Sequence, residues 1–160
     1  MKTKRLTEAR GLGVSMHIWS KKEIENYLIV AEVICRIINA EHKTGVEINT
    51  IKAKIESICS ELIEETIDLF ANEIGHENRG YEVSKSRSEA KKEIQKRTDG
   101  AQSYICGKNI LAKLAEWVKS EYKVSINKRK VAHAFNAYEI PNEVKSVIDD
   151  IENNRSFPPK

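Results

Sequence analysis

Apolar residues step through most of this chain at helical spacing. Ile24, Tyr27, Leu28, Ala31, Ile34, Cys35 and Ile38 make one face. Ile48, Ile51, Ile55, Ile58 and Leu62 step by three and four, and the stripe continues through Ile63, Ile67, Phe70 and Ile74 after a shift of one position. Ile110, Leu111, Leu114, Trp117, Val118 and Tyr122 make a third stripe. One segment departs from this period: Val14, Met16 and Ile18 alternate with Ser15 and His17, as in a half-buried strand. The pattern predicts a mainly α fold, a helical domain with one short N-terminal strand at Val14–Trp19.

End signals divide the stripes into elements. Ser20 and Glu23 form an S-x-x-E capping box before the first helix, with Glu25 in its first turn. Glu41–Gly45 reads as a turn, and Asn49 caps a long helix over about 49–74 with Gly75 as its stop. That helix spans roughly 40 Å at 1.5 Å per residue. Its heptad-like stripe suits a coiled-coil seam and a homodimer. Folding back on the first helix as an antiparallel hairpin is the simpler arrangement. A polar loop over 76–83 leads into a thinly apolar helical segment, 82–97. Gly107-Lys108 opens the next helix, Asn127 caps another, and Pro141 begins the last. The expected organisation is a basic lead over 1–13, one mainly helical domain over 14–152 with three C-terminal helices, and a loose tail over 153–160.

A lone strand exposes unpaired N–H and C=O groups along both edges, and burying them unpaired is costly. Either Val14–Trp19 pairs with another chain, or the polypeptide is part of a larger domain whose other strands lie elsewhere. The second is the expectation, with the chain as the back end of an α/β domain.

Composition limits the function classes. The 160 residues suit one domain with a modest core, and 40% hydrophobic against 32% charged residues is too ordered a balance for a disordered chain. No apolar run reaches the ~18 residues of a membrane span, and no signal-peptide core follows the basic N-terminus. Cys35, Cys59 and Cys106 are odd in number and far apart, so neither a zinc site nor a disulfide framework is indicated. Free thiols fit a reducing, cytoplasmic compartment. The net charge of +3 does not by itself imply nucleic-acid binding.

Three places carry candidate chemistry. Glu25 sits where a helix dipole favours a charged carboxylate, at the strand-to-helix joint where open α/β sheets place their chemistry; the plainer reading is a solvated first-turn Glu. Gly107-Lys108 resembles the end of a phosphate-binding loop, but Gln102 stands where the leading Gly belongs and Asn109 where the hydroxyl belongs, so a P-loop is rejected. Lys108 at a helix start is unfavourable for the dipole, so it either has an anionic partner or is a flexible, solvent-facing lysine. Lys85, Arg87, Lys91, Lys92, Lys96 and Arg97 crowd one segment against Glu82, Glu89 and Glu93. They read as a solvated face or as a surface for nucleic-acid phosphates, without the interleaved aromatics that stack bases.

The run Trp19-Ser20-Lys21-Lys22-Glu23-Ile24-Glu25-Asn26-Tyr27-Leu28 is followed by Gly107-Lys108-Asn109-Ile110-Leu111. Val124-Ser125-Ile126 and Glu139-Ile140-Pro141-Asn142-Glu143-Val144 come later. This order resembles the C-terminal end of the OLD (overcoming lysogenization defect) nucleases, in which an ABC-type ATPase precedes a TOPRIM domain. It covers residues 12–152. In that family an early glutamate and an Asp-x-Asp on successive strand ends bind magnesium, followed by a later glutamate and a lysine. By position Glu25 resembles the later glutamate, a catalytic metal ligand, and Lys108 resembles the lysine. The ATPase, the early glutamate and the Asp-x-Asp have no counterpart here, and no Asp precedes Asp68. Two-metal phosphodiester cleavage needs several carboxylates around ions about 4 Å apart. The resemblance therefore implies phage-defence-type nuclease ancestry in a chain inactive alone, binding Mg2+ only where a separate ATPase/TOPRIM chain supplies the missing carboxylates. The other expectation is an independent helical module that binds proteins, or DNA weakly through its phosphates, using the Lys85–Arg97 stretch and the basic lead-in Lys128, Arg129 and Lys130.

Overall fold

A computed structural model of the chain describes residues 2–14, 16–42, 45–96 and 100–153. Ser15 of the expected strand, Arg97 of the basic segment and the tail from residue 154 lie outside the described residues. Among those described, the helices are α1 (Lys2–Gly11), α2 (Ala31–Glu41), α3 (Ile48–Glu77), α4 (Val83–Gln95), α5 (Gly107–Tyr122), α6 (Lys128–His133) and α7 (Asn142–Glu152). Two 3₁₀ turns, Ile24–Tyr27 and Ala101–Ser103, complete the list, and none of these residues forms a strand. The protein is mainly helical, and no described helix is long and apolar enough to cross a membrane.

Contacts group the described residues into two units, one of Lys21–Ala134 and one of the segments up to Ser20 and from Phe135 onward. The larger is organised by α3, which packs on α2, α4, α5 and the second 3₁₀ turn. The one-position shift in its apolar stripe marks a change of partner. Ile51, Ile55, Ile58 and Leu62 are buried with Ile34, Ile38, Ile110 and Leu114 in the core of this unit. Farther along, Ile67 and Ala71 meet Ala90 of α4, with Ile63, Phe70, Ile74 and Ile94 around them. The stripe that suits a coiled-coil seam is thus consumed within the chain, and the antiparallel partner of the helix's second half is α4. Cys35 and Cys59 are buried, free thiols, and burial pushes Cys59 up to about 11.

Three end signals act differently from the sequence expectation. The helix expected to run from Ile24 through Ile38 is broken: the 3₁₀ turn ends at Tyr27, and α2 begins at Ala31. The Leu28 N–H returns to the Glu25 carbonyl at 3.0 Å, while the Ile29 carbonyl accepts from Gln102 Nε2 at 2.8 Å instead of from a helical N–H. The long helix starts after Glu47 rather than after Asn49, and Gly75 lies inside it rather than stopping it. The chain turns beyond Asn78, at Gly80, whose φ of +109° is a conformation that favours glycine.

In the smaller unit, Val14 and Met16–Trp19 form no strand. A ladder needs a second strand, and the described residues provide none. Side chains hold the segment instead. The Glu143 carboxylate, in the first turn of α7, accepts the Ser20 N–H at 2.8 Å and the Ser20 hydroxyl at 2.5 Å, and meets His17 Nε2 at 3.0 Å. His17 in turn stands edge-on to Trp19, ring centroids 4.6 Å apart. Ser20 therefore spends its hydroxyl on Glu143, 123 residues away, and not on a capping box.

Gly75 supplies a test of the helical assignment. A Cβ built there would lie 3.5 Å from Ser86 Oγ, an ordinary contact. Gly75→Ala should stabilise the protein by up to about 1 kcal/mol, the helix-propensity difference. Urea unfolding would show it, whereas a helix stop at Gly75 would make the same change destabilising.

Candidate functional site

The turn before α2 is built around Asn26, which is fully buried. A buried amide must find partners for both of its ends. Asn26 Oδ1 accepts the Glu23 N–H at 2.9 Å, which holds the start of the 3₁₀ turn. Its Nδ2 donates to the Gln102 carbonyl at 2.6 Å and the Ile105 carbonyl at 3.0 Å. Lys22 N–H adds a bond to the Ser103 carbonyl at 3.0 Å. Together these tie residues 22–26 to 102–105, the lead-in to α5.

α5 then starts directly on the turn. A Cβ on Gly107 would fall 2.7 Å from the Asn26 backbone nitrogen and 2.8 Å from its Oδ1. Only glycine allows this approach. Glu23 caps the helix from outside: its carboxylate accepts the Lys108 N–H at 3.1 Å and the Cys106 thiol at 3.2 Å. The Lys108 ammonium stands 4.0 Å from the same carboxylate. The anionic partner of Lys108 is thus Glu23, and its charge also favours the positive end of the helix dipole.

Glu25 is 5% exposed, an unusual placement for a carboxylate and the one acidic residue that is buried among those described. It accepts from the Lys128 ammonium, the first residue of α6. α6 is itself held by its Asn127 cap, by Val131 in the core, by Lys130 to Glu41 and by Arg36 to the Ala134 carbonyl at 2.6 Å. The Lys128 hydrogen bond holds the Glu25 carboxyl below its ordinary value of 4.5. Its own backbone N–H and the charges of Lys128 and Lys108 act in the same direction, against desolvation. Glu25 and Lys108, the two residues of the sequence resemblance, therefore meet electrostatically at one locus, each with a closer partner.

Each carboxylate of the turn has a lysine from a different helix: Glu23 has Lys108 and Glu25 has Lys128. Such a set can hold charge in a partly dry place and orient a carboxylate. It does not make a metal centre by itself, since an ammonium already occupies Glu25 and a divalent ion takes several oxygens. No three His, Cys, Asp or Glu side chains among the described residues group to hold a metal. A cleft of about 330 Å³ beside Ile29, Ala31, Ile55 and Gln102 contains none of these four charges.

The basic segment is placed elsewhere, on α4 against α3. Arg87 bridges Glu64 and Asp68 of α3. Lys92 pairs with Glu89 at 2.9 Å, Lys96 with Glu93 at 2.6 Å, and Lys85 lies over the Tyr81 ring at 4.0 Å. Lys91 is exposed. Four of the expected phosphate contacts thus already engage groups of the chain itself. The structural role of Asn26, the close approach at Gly107 and the pairing of Lys128 with Glu25 are not legible in the sequence, which offers Lys128 only as one cation of the basic lead-in to α6. Lys128 meets Glu25 across 103 positions, and no local pattern signals such a pair.

Three outcomes check this geometry. Gly107→Ala should cost about 1–3 kcal/mol through backbone overpacking, the opposite sign to Gly75→Ala. Replacing Asn26 with Leu should cost roughly 3 kcal/mol, because two carbonyls and an N–H lose their partners. Glu25 has a lowered folded pKa, so its contribution is present above the unfolded value of 4.5 and disappears as pH falls through the folded value. Urea midpoints between pH 7 and 3 should fall with acid in the wild type, and Glu25→Gln should be weaker at pH 7 with a shallower acid loss.

No family model, characterised protein or solved structure matches this chain, so its function must be read from the residues themselves.

Proposed function

We propose that this chain is the C-terminal part of an OLD-like TOPRIM nuclease of phage-defence type, the back end of its α/β domain. One observation carries the reading: a buried, ionised Glu25 lies within electrostatic reach of Lys108 at the mouth of α5. These are the two residues whose order and context resemble the later glutamate and the lysine of that family. A carboxylate and an ammonium at one locus suit phosphodiester chemistry, the first to hold a cation or orient water, the second to offset charge on the phosphate.

The chain is inactive alone in this reading. The residues present do not fit a magnesium centre by themselves, since the Lys128 ammonium already occupies Glu25. Mg2+ would be held once an early glutamate and an Asp-x-Asp are supplied by a separate ATPase/TOPRIM chain. DNA would be met through phosphates, with Lys108 at the reacting group and Lys91 as an exposed outlying cation. A helical interaction module is the second reading. It is favoured by Ile148 and Ile151 of α7, 44% and 63% exposed on one helix.

The purified chain should leave supercoiled plasmid uncut in Mg2+ or Mn2+. Mixed with a polypeptide that carries the ATPase and Asp-x-Asp strands, encoded beside it, it should nick DNA. Glu25→Ala and Lys108→Ala should each lower that rate at least about 100-fold. Cutting by the chain alone that vanishes in Glu25→Ala would overturn the inactive reading. A reconstituted nuclease indifferent to both substitutions would overturn the site and favour the interaction module.

A further inference from the structure

We infer that the exposed side chains of Lys22 and Arg129 grip the DNA backbone beside the Glu25–Lys108 locus, in place of the basic helix α4. The inference rests on the nuclease reading and names what holds the substrate's phosphates away from the reacting group.

Five cations reach this locus from three elements. Lys21 and Lys22 lead into the turn, Lys108 lies at the start of α5, and Lys128 and Arg129 open α6. Contacts bring the three elements together: Lys108 stands 4.0 Å from Glu23, Lys128 touches Glu25, and the Lys22 N–H donates to the Ser103 carbonyl at 3.0 Å. Within residues 21–27, 102–109 and 127–129 the only acids are Glu23 and Glu25. The locus therefore carries surplus positive charge, which a polyanion neutralises as its counterions are released.

The five differ in what already holds them. Lys21 Nζ donates to the Asn26 carbonyl at 3.2 Å and lies 4.9 Å over the Tyr27 ring. Lys128 is committed to Glu25, and Lys108, more loosely, to Glu23. Lys22 and Arg129 are exposed, and neither side chain has a partner among the described residues. Such cations meet a phosphate without first giving up an acid. Lys22 directly precedes Glu23 and Arg129 directly follows Lys128, so the two free cations neighbour the two ion pairs of the site. Arg129 adds a planar fork that matches two phosphate oxygens.

Helix α4 offers less. Arg87 is held by Glu64 and Asp68, Lys92 by Glu89 and Lys96 by Glu93. A phosphate arriving there displaces an acid for each cation it gains, and the acid remains to repel it. At the turn, Tyr27 is buried and its ring is closed to a base. The expected contacts are with the backbone, which hold every sequence alike.

Fluorescence anisotropy of the full chain with short labelled duplexes of unrelated sequence tests this without cleavage or a second polypeptide. The wild type should bind all of them alike, and affinity should fall steeply from about 50 to about 200 mM salt. Lys22→Gln and Arg129→Gln should each weaken binding roughly tenfold at the lower salt and reduce the slope of log affinity against log salt by about 1. Lys22→Arg should retain wild-type binding. Lys92→Gln combined with Lys96→Gln should change it less than either single substitution at the turn, and urea midpoints should match throughout. The inference is overturned if the wild type binds no duplex at low salt, or if the α4 pair weakens binding as much as Lys22→Gln and Arg129→Gln do. It is overturned equally if Lys22 and Arg129 are needed for binding to vesicles rich in anionic lipid but not to DNA. Binding that depends on Lys22 and Arg129 without reconstituted cutting removes the nuclease reading only. Reconstituted cutting that needs Glu25 and Lys108, with a KM that neither Lys22→Gln nor Arg129→Gln raises, removes this inference only.

Discussion

The buried amide of Asn26 is the constraint on which the larger unit depends. With both ends satisfied by backbone groups of residues 23, 102 and 105, it leaves one arrangement of the turn and of the α5 lead-in. That arrangement brings the helix start so close that position 107 has no room for a side chain. A single polar side chain thus sets the distance between the two segments that carry Glu23, Glu25, Cys106 and Lys108. An apolar residue could fill the same volume, but it would not choose between neighbouring registers, whereas three directional bonds do.

From this joint the charges follow. Glu23 points to the start of α5 and Glu25 points to α6, so adjacent acidic positions of one turn serve two different helices. Glu23 precedes the 3₁₀ turn in extended backbone, with φ −140° and ψ 158°, while Glu25 lies inside the turn, so the two carboxylates start from different backbone conformations. Had the helix run on from Ile24 as its apolar stripe suggests, it would have needed the Ile29 carbonyl for its own ladder. Gln102 takes that carbonyl instead, and α2 begins afresh at Ala31.

Much of the helical skeleton was legible in the sequence because periodicity and caps are local. The stripe after Gly107 predicts α5, and Asn127 caps α6 as its position implies. Errors arise where a distant group outbids a local one. Ser20 has Glu23 at capping-box spacing, yet its hydroxyl goes to Glu143, since Asn26 already serves the Glu23 N–H. Gly75 resembles a helix stop, but the packing of α3 on α4 carries the helix past it. The same limit governs the site. Glu25 and Lys108 stand out as candidates by their neighbours in sequence, whereas the pairing of Lys128 with Glu25 does not, because it spans 103 residues.

The unequal burial of the two ion pairs separates what each lysine can do. The side chain of Lys108 is 60% exposed and that of Glu23 is 23% exposed, so water competes for both ends. Such a pair is worth about 0–1 kcal/mol, and Lys108 can leave it for a phosphate at small cost. The other pair is asymmetric: Lys128 is 56% exposed but Glu25 only 6%, so the lysine could be rehydrated on leaving and the carboxylate could not. Without Lys128, the carboxylate needs another cation or a proton. Lys108 is therefore free to meet an anion, and Lys128 is bound to guard one. Under the proposed function, that division would let an incoming phosphate meet the exposed Lys108 ammonium while the buried carboxylate keeps its own partner.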